Sequence, residues 1–508
     1  MRQTLIDRLV GIVSPSAAKE RMTARMTLER LGHLQREYDA ARPDEFGARW
    51  LSRGGSANAE VQGSGAALRY RMRDLVRNNP IAASAVQVLV TNMVGAGIRP
   101  RANSRRASLN SKVDDLWARF SDRCDFHGQT DFHGLVALAV REMIEGGDAL
   151  ALRRTQPIPS GRARNVPLQI ELKEADHLDD TMIRTTAEDG GRIVQGIEYD
   201  RDGRRVAYWL HPDHPGDGLL LHARQYKSVR VPADTVAHLF ERQRVQDRGV
   251  PWGAPVMRAI RDVGDWQEAE LARKRTEACL VGIVLTDDAG ATLGPVRDGA
   301  DGKVQELQPG MLATMRGAED VKFLQPAAAG GVGEWNRVQL QYIASGFRVP
   351  YALLTGDLSQ TSFSSSRVGL SDFRRMIEMM QWQMVIPQLC LPIWRWFCEA
   401  AYLAGLIDTP EVAVEWAPPG FPTVNAKQDA EADVIEVQAG FASIQQMIAK
   451  RGYDPQAVMD EQAAYLAALD ARGMAVTSDG RRAGKPLAIA PPNDDAETGN
   501  AAGGGAGE

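Results

Sequence analysis

Residues 343–397, IASGFRVPYALLTGDLSQTSFSSSRVGLSDFRRMIEMMQWQMVIPQLCLPIWRWF, constrain this chain more than any other stretch. They predict a short helix, a polar loop and then a long apolar helix. From Val349 to Ser366 there is no Lys or Arg, and Asp357 is the only formal charge. Ser359, Gln360, Thr361, Ser362, Ser364, Ser365 and Ser366 supply hydroxyls and amides instead. Such a loop touches a polyanion without gripping it, because grip on phosphate comes from cations. In the helix that follows, expected to start near Arg367, Phe373, Ile377, Met380 and Met384 recur at helical spacing. Trp382, Trp394, Trp396 and Phe397 make its second half apolar on nearly every side, so it must be buried, and the expectation is that these four rings pack between subunits. Pro387 and Pro392 are expected to kink or break it, since each removes a backbone donor and crowds the preceding turn.

The segment resembles the corresponding part of portal proteins of tailed bacteriophages, the lambda-like portal family, in which a loop between two helices projects into the channel through which DNA passes. The resemblance extends over residues 66–471 and implies an α+β portal fold. Its parts are an N-terminal arm (1–65), an α+β wing (66–250), a stem helix (251–281), a small α/β clip (282–334), a second stem helix (335–349), a tunnel loop (350–367), a long kinked wing helix with its connection (368–423), a helical crown (424–473) and a disordered tail (474–508). It further implies a homo-oligomeric ring of twelve subunits at one vertex of the capsid, assembled in the host cytoplasm and carried in the virion. The partners it implies are double-stranded DNA in the channel, terminase, the major capsid or scaffold protein, and a head–tail adaptor. Asp357, Ser359, Gln360, Thr361, Ser362, Ser364, Ser365 and Ser366 are the expected DNA-facing residues of the tunnel loop.

Composition agrees with a conduit better than with a binder. The 508 residues carry 60 basic and 65 acidic side chains, a net charge of −5. Twelve copies would carry about −60, and acidic walls keep a duplex from sticking. A chain of this length exceeds one compact core, so several domains or a subunit completed by neighbours are expected. Cys124, Cys279, Cys390 and Cys398 are scattered without a CxxC pair, which argues against a disulfide framework and a zinc ribbon. The amino-terminal stripe of Leu5, Ile6, Leu9 and Val13 is interrupted by Asp7 and Arg8 and is too short to span a bilayer, so neither a signal peptide nor a membrane partner is expected.

Along the chain, helices are expected over 17–34 and from residue 66 on, with a break at Asn79-Pro80, then over 111–120 and 132–145; 53–65 reads as a surface arm or linker. Strands are expected over 149–153, 168–172, 193–199, 205–210 and 236–240. Pro255 opens a helix with Val256, Ile260, Val263 and Leu271 on one face; short strands follow over 282–288, 311–319 and 321–326. Three helices follow residue 424, closed by Gly440 and Gly452, the last capped by Asp454 ahead of Pro455.

Catalytic motifs are scarce. No GxxxxGK[ST] loop and no GxSxG elbow occurs. The GSGAAL stretch at 63–68 lacks the third glycine of a dinucleotide fingerprint. His211, Asp213 and His214 read as a solvated hairpin tip. Glu171, Glu174, Asp176, His177, Asp179 and Asp180 read as a solvated strand edge. No enzymatic activity, metal or cofactor is expected. Two alternatives stay open at this stage: a phage metal-dependent nuclease built on that acidic run, and another structural ring protein such as a head–tail adaptor, usually a far shorter chain.

Overall fold

The helix break at Asn79-Pro80 shows how local chemistry sets the architecture. Asn79 stays extended and its side chain accepts from the amides of Ile81 and Ala82, while Pro80 occupies the first turn, where a missing N–H costs nothing. Two helices result, α1 (Ala57–Asn78) and α2 (Pro80–Val94). The first starts inside the stretch expected to be a linker, and the GSGAAL sequence lies within it as ordinary helix.

The computed structural model describes residues 54–155, 165–184, 190–217, 227–286, 296–299, 302–305, 311–316, 331–359, 363–421, 426–453 and 455–474; for 276–286, 296–299, 302–305, 311–316, 363–367 and 426 it describes backbone alone. Two units divide at Glu60/Val61. Everything below concerns the second, from Val61 on. The expected helix over 17–34, the strand over 321–326 and the tail lie outside the described residues.

This unit is a mixed helix-and-sheet structure. After β1 (Arg99–Ala102) come α3 (Ala107–Ser121) and α4 (Phe132–Gly146), the latter capped by Asp131 accepting from Gly134 N. The chain then enters β2 (Asp148–Thr155), flanked by β3 (Leu168–Glu174) and β8 (Val236–Phe240), both antiparallel to it. The apolar faces of α2 and α4 and the sheet share one core, which includes Leu89, Met93, Val140, Met143 and Ile170. A second sheet, in the order β4 (Arg192–Val194), β5 (Ile197–Tyr199), β6 (Arg205–Leu210), β7 (Val229–Pro232), covers a smaller core of Leu150, Leu152, Ile197 and Tyr208. The single strand expected over 193–199 is in fact a hairpin. Gln195 and Gly196 have φ of 50° and 80°, the left-handed pair that a two-residue turn needs.

Helix α5 (Met257–Cys279) leads into β9 (Leu280–Thr286), the hairpin β10–β11 (Val296–Gly299, Gly302–Gln305) and β12 (Met311–Arg316), which pairs parallel to β9; α6 (Val332–Phe347) returns. These two helices meet the core at one end, where a Cβ on Gly346 would collide with the Val256 side chain, so only glycine lets them approach. Val256, Ile260 and Val263 are buried as expected, but Leu271 is 49% exposed, because the core ends before it.

The long helix corrects two expectations. Its backbone stays helical through α8 (Phe363–Met380), a π-helical segment (Gln381–Cys390) and α9 (Leu391–Leu403); Pro387 sits in the widened π turns and Pro392 in the first turn of α9, so neither breaks it. Trp394, Trp396 and Phe397 do not wait for a neighbouring subunit. They are 1%, 5% and 0% exposed within this one, with Trp394 and Phe397 packed on Trp117 of α3 at 5.1 and 5.0 Å between ring centres. Each tryptophan also donates its Nε1–H to a backbone oxygen, Trp394 to Val412 and Trp396 to Asp234. Trp382, 46% exposed, is the one member of the four left uncovered.

Beyond it, β13 (Val414–Ala417) pairs antiparallel with β1, and three helices follow: α10 (Ala426–Gln438), α11 (Ile444–Lys450) and α12 (Pro455–Ala471). Ser443 and Gln446 form a capping box at the start of α11. Asp454 lies outside the described residues.

Candidate nucleic-acid interface

The polar loop hangs from a series of locally fixed turns. Helix α6 ends at Arg348, held at a left-handed φ of 61°, with Val349 N bonded to Ala344 O at 3.0 Å. An arginine tolerates that conformation here because its side chain is held from two sides. Nη1 and Nη2 donate to Glu241 at 2.6 and 3.1 Å, and the guanidinium lies 4.9 Å from the Trp252 ring centre. Pro350 then starts the short helix α7 (Tyr351–Thr355), which stops at Gly356 with φ 72°. Ser84 of α2 donates its hydroxyl to Leu354 O at 2.8 Å, and Leu354 itself is 4% exposed. The base of the loop is therefore pinned to the main core.

Asp357 is turned inward on the loop. Tyr351 Oη donates to its Oδ2 at 3.1 Å and Ser359 N to its Oδ1 at 3.0 Å, while its own amide donates to Thr355 Oγ1. The Ser359 hydroxyl and amide, then Tyr351, hold its carboxyl below the usual carboxylate range. The loop's single charge thus stays ionised and organises the turn.

The helix after the loop begins at Phe363 rather than near Arg367, so the connection between α7 and α8 is residues 356–362. Asp357 and Ser359 are described within it; Gln360, Thr361 and Ser362 lie outside the described residues. Ser364, Ser365 and Ser366 belong by backbone to the first turn of α8. Tyr351, Ser84 and Arg348 were missed by sequence reasoning. Arg348 and Ser84 act on partners far along the chain, which no local pattern reveals; the Tyr351–Asp357 spacing was a readable cue.

The acidic run forms a second cluster, and its chemistry is cationic as well as anionic. Arg69 reaches Asp176 and Asp180 at 3.3 and 3.5 Å; Arg73 reaches Asp176, Glu142 and Glu174 at 2.5, 2.6 and 2.9 Å. Glu171 pairs with Arg154 and Lys173, and Asp179 accepts from Ser228 at 2.6 Å. Among the described residues, Glu174, Asp176 and His214 alone converge closely enough to hold a metal ion, but two arginine side chains already neutralise that place. Burial pushes the neighbouring His177 down to about 4, so it is neutral near pH 7. The arrangement ties α1 to the sheet; it has no open coordination sphere for metal-dependent hydrolysis.

Among the described residues no helix is long and apolar enough to cross a membrane. The family model for phage portal protein, lambda family, matches residues 45–381. A probable portal protein of Halomonas phage phiHAP-1 is 25% identical over 452 residues, covering 84% of this chain and 86% of that protein. The portal protein of Escherichia phage N15 is 22% identical over 455 residues, covering 77% and 82%. Among solved structures, the neck of a native GTA particle computed with C12 symmetry matches at 15% identity with a TM-score of 0.40, over 79% of this chain and 95% of that one. Since the family match spans well over half of the sequence, the chain belongs to the lambda family of phage portal proteins, structural and non-enzymatic components whose general role is that of a DNA channel.

Proposed function

We propose that this chain works as one wedge of a closed ring of twelve at a single capsid vertex, with residues 356–366 lining the hole through which double-stranded DNA enters and leaves. The observation that carries the ring is the pair α5 and α6. Past Val263 and before Leu340 they stand clear of the core, and Leu271, Trp335, Val338 and Tyr342 are 49%, 39%, 52% and 58% exposed. A helix pair with that much wetted apolar surface is completed by a neighbour. On this reading α5 and α6 are the stem, β9 to β12 the clip, α10 to α12 the crown, and the sheets with α1 to α4 and the long helix the wing. Trp382 and Tyr402, 46% and 44% exposed, are aromatics of the long helix that remain for a neighbour. The ring docks terminase during packaging and a head–tail adaptor afterwards, sits against the major capsid or scaffold protein, assembles in the host cytoplasm and ends in the virion.

The loop's lack of cations supports passage over capture. Ser359 and its hydroxyl- and amide-bearing neighbours make many weak contacts with passing phosphates, without the counterion release that would anchor the duplex. Negative-stain microscopy of the purified chain tests the ring: annular particles with a central hole are expected, and a persistent monomer under every assembly condition refutes it. Shortening 357–365 tests the loop. Rings should persist while packaged DNA falls, and unchanged packaging removes the loop from the mechanism.

A further inference from the structure

The π-helical segment Gln381–Cys390 has a cause that the sequence explains only when the two halves of the long helix are compared. On α periodicity of about 100° per residue, the buried set of α8 (Phe373, Ile377, Met380) and that of α9 (Ile393 to Ala401) would point roughly 130° apart. Yet both sets belong to one core. Ten π residues each turn roughly 18° less than α residues, and that lag carries the narrow stripe of α8 inside the broad buried arc of α9. Ten π residues turn and advance the chain about as far as eight α residues do, so the segment holds about two residues more than a regular helix needs.

The segment is also fastened at two points. Gln381, 1% exposed, donates its amide to Met93 O of α2 at 2.8 Å, and Gln388 accepts from Phe240 N at the end of β8 at 2.9 Å. Pro387, between them, cannot donate and in α geometry would crowd the carbonyl of Gln383; the wider turn relieves it. The π register is continued at the far end by Leu391 N donating to Ile386 O. Anchoring is unequal on the two sides. Helix α9 is locked by Trp394, Trp396 and Phe397, whereas among the residues of α8 with described side chains only Phe373, Ile377 and Met380 are buried.

We propose that this segment is a hinge that stores about two residues of helical register, through which the loop-bearing helix α8 turns against the anchored α9. Deleting Pro387 tests it, with deletion of the exposed Arg395 in α9 as the control. An α-helix cannot lose a residue without rotating everything beyond it by about 100°, so the Arg395 deletion should be insoluble. The Pro387 deletion draws on the surplus and should stay soluble with a melting temperature near that of the parent. Equal damage from both deletions overturns the stored register. Amide hydrogen exchange of the unmodified chain is the second measurement. The amides of 386 and 388–391 should exchange about tenfold faster than those at 394–400, the mark of local opening, and equal protection in the two stretches overturns the hinge. Neither result depends on the ring, since both are read on the chain whether or not annuli form.

Discussion

Replacing Asp148 with asparagine isolates the electrostatics at the junction between the three-stranded sheet and the approach to α5. The Asp148 carboxylate is 0% exposed and accepts from Arg248 Nε at 2.7 Å, Gly249 N at 2.6 Å and His238 Nε2 at 3.0 Å. Arg248 is 2% exposed, and its remaining described partner is Ala175 O at 3.2 Å. The amide side chain would keep the volume but leave a buried guanidinium without its counter-charge, which destabilises by about 3–5 kcal/mol. That is a large part of the roughly 5–15 kcal/mol that holds a folded chain together. Burial alone would raise the Asp148 carboxyl, but the Arg248 charge and the His238 hydrogen bond outweigh it and hold the carboxyl far below the usual range. A depressed carboxylate contributes fully above its unfolded value of about 3.9, and that contribution fades as pH falls toward the folded value. Urea unfolding followed by circular dichroism should therefore show D148N weaker by several kcal/mol at pH 7, with the gap narrowing below about pH 4. A gap under about 0.5 kcal/mol at pH 7, or one constant down to pH 3, would refute the reasoning. The double replacement D148L/R248M removes both charges together and should recover most of the loss.

Trp394→Ala should lower subunit stability by about 3–5 kcal/mol in the same assay, while Trp382→Ala stays within about 0.5 kcal/mol; equal losses would mean that the long helix is packed differently. Glu142→Gln bears on the arginine knot. Burial first, then the Glu174 charge, push the Glu142 carboxyl up to about 8 against the pull of Arg73. A raised carboxyl gives stability that is complete below its unfolded value and is lost as pH rises through about 8. The melting temperature of the parent should therefore drop between pH 5 and pH 8 more than that of E142Q, and parallel profiles would contradict the assignment.

The elements most legible in the sequence were those with local punctuation. Asn79-Pro80 and Ser443 mark their helix starts through caps a few residues long, and the short run 236–240, apolar except for His238, marks a strand buried on both faces. The misses have both local and long-range causes. Gln195 is not a habitual turn residue, so the hairpin at 195–196 was hidden in an apolar run. The start of α1 was masked by Gly63 and Gly65, which lower helix propensity without forbidding helix. The lost donor of Pro387 predicts a kink or a break; the helix continues through it in π turns, whose register with α9 is set by tertiary packing. Three of the four rings expected between subunits, Trp394, Trp396 and Phe397, are covered by distant parts of their own chain, which no local pattern reveals; Trp382 stays exposed. Asp357 was legible as the loop's lone charge, but its inward bonds to Tyr351 and Ser359 were not.

The β1–β13 clasp has a consequence for synthesis. Ala102 pairs with Val414, 312 residues later, and closing a segment of that length costs about 5 kcal/mol of chain entropy. At about 5–20 residues per second, a ribosome needs roughly 15–60 s to make the intervening chain. During that interval Trp117 has no Trp394 or Phe397 to cover it, and the greasy sides of α2 and α4 stand open beside the nascent chain. The molecule must be sheltered until its last third emerges, so a product ending before α9 is a lidless core and a substrate for proteases rather than a smaller working subunit.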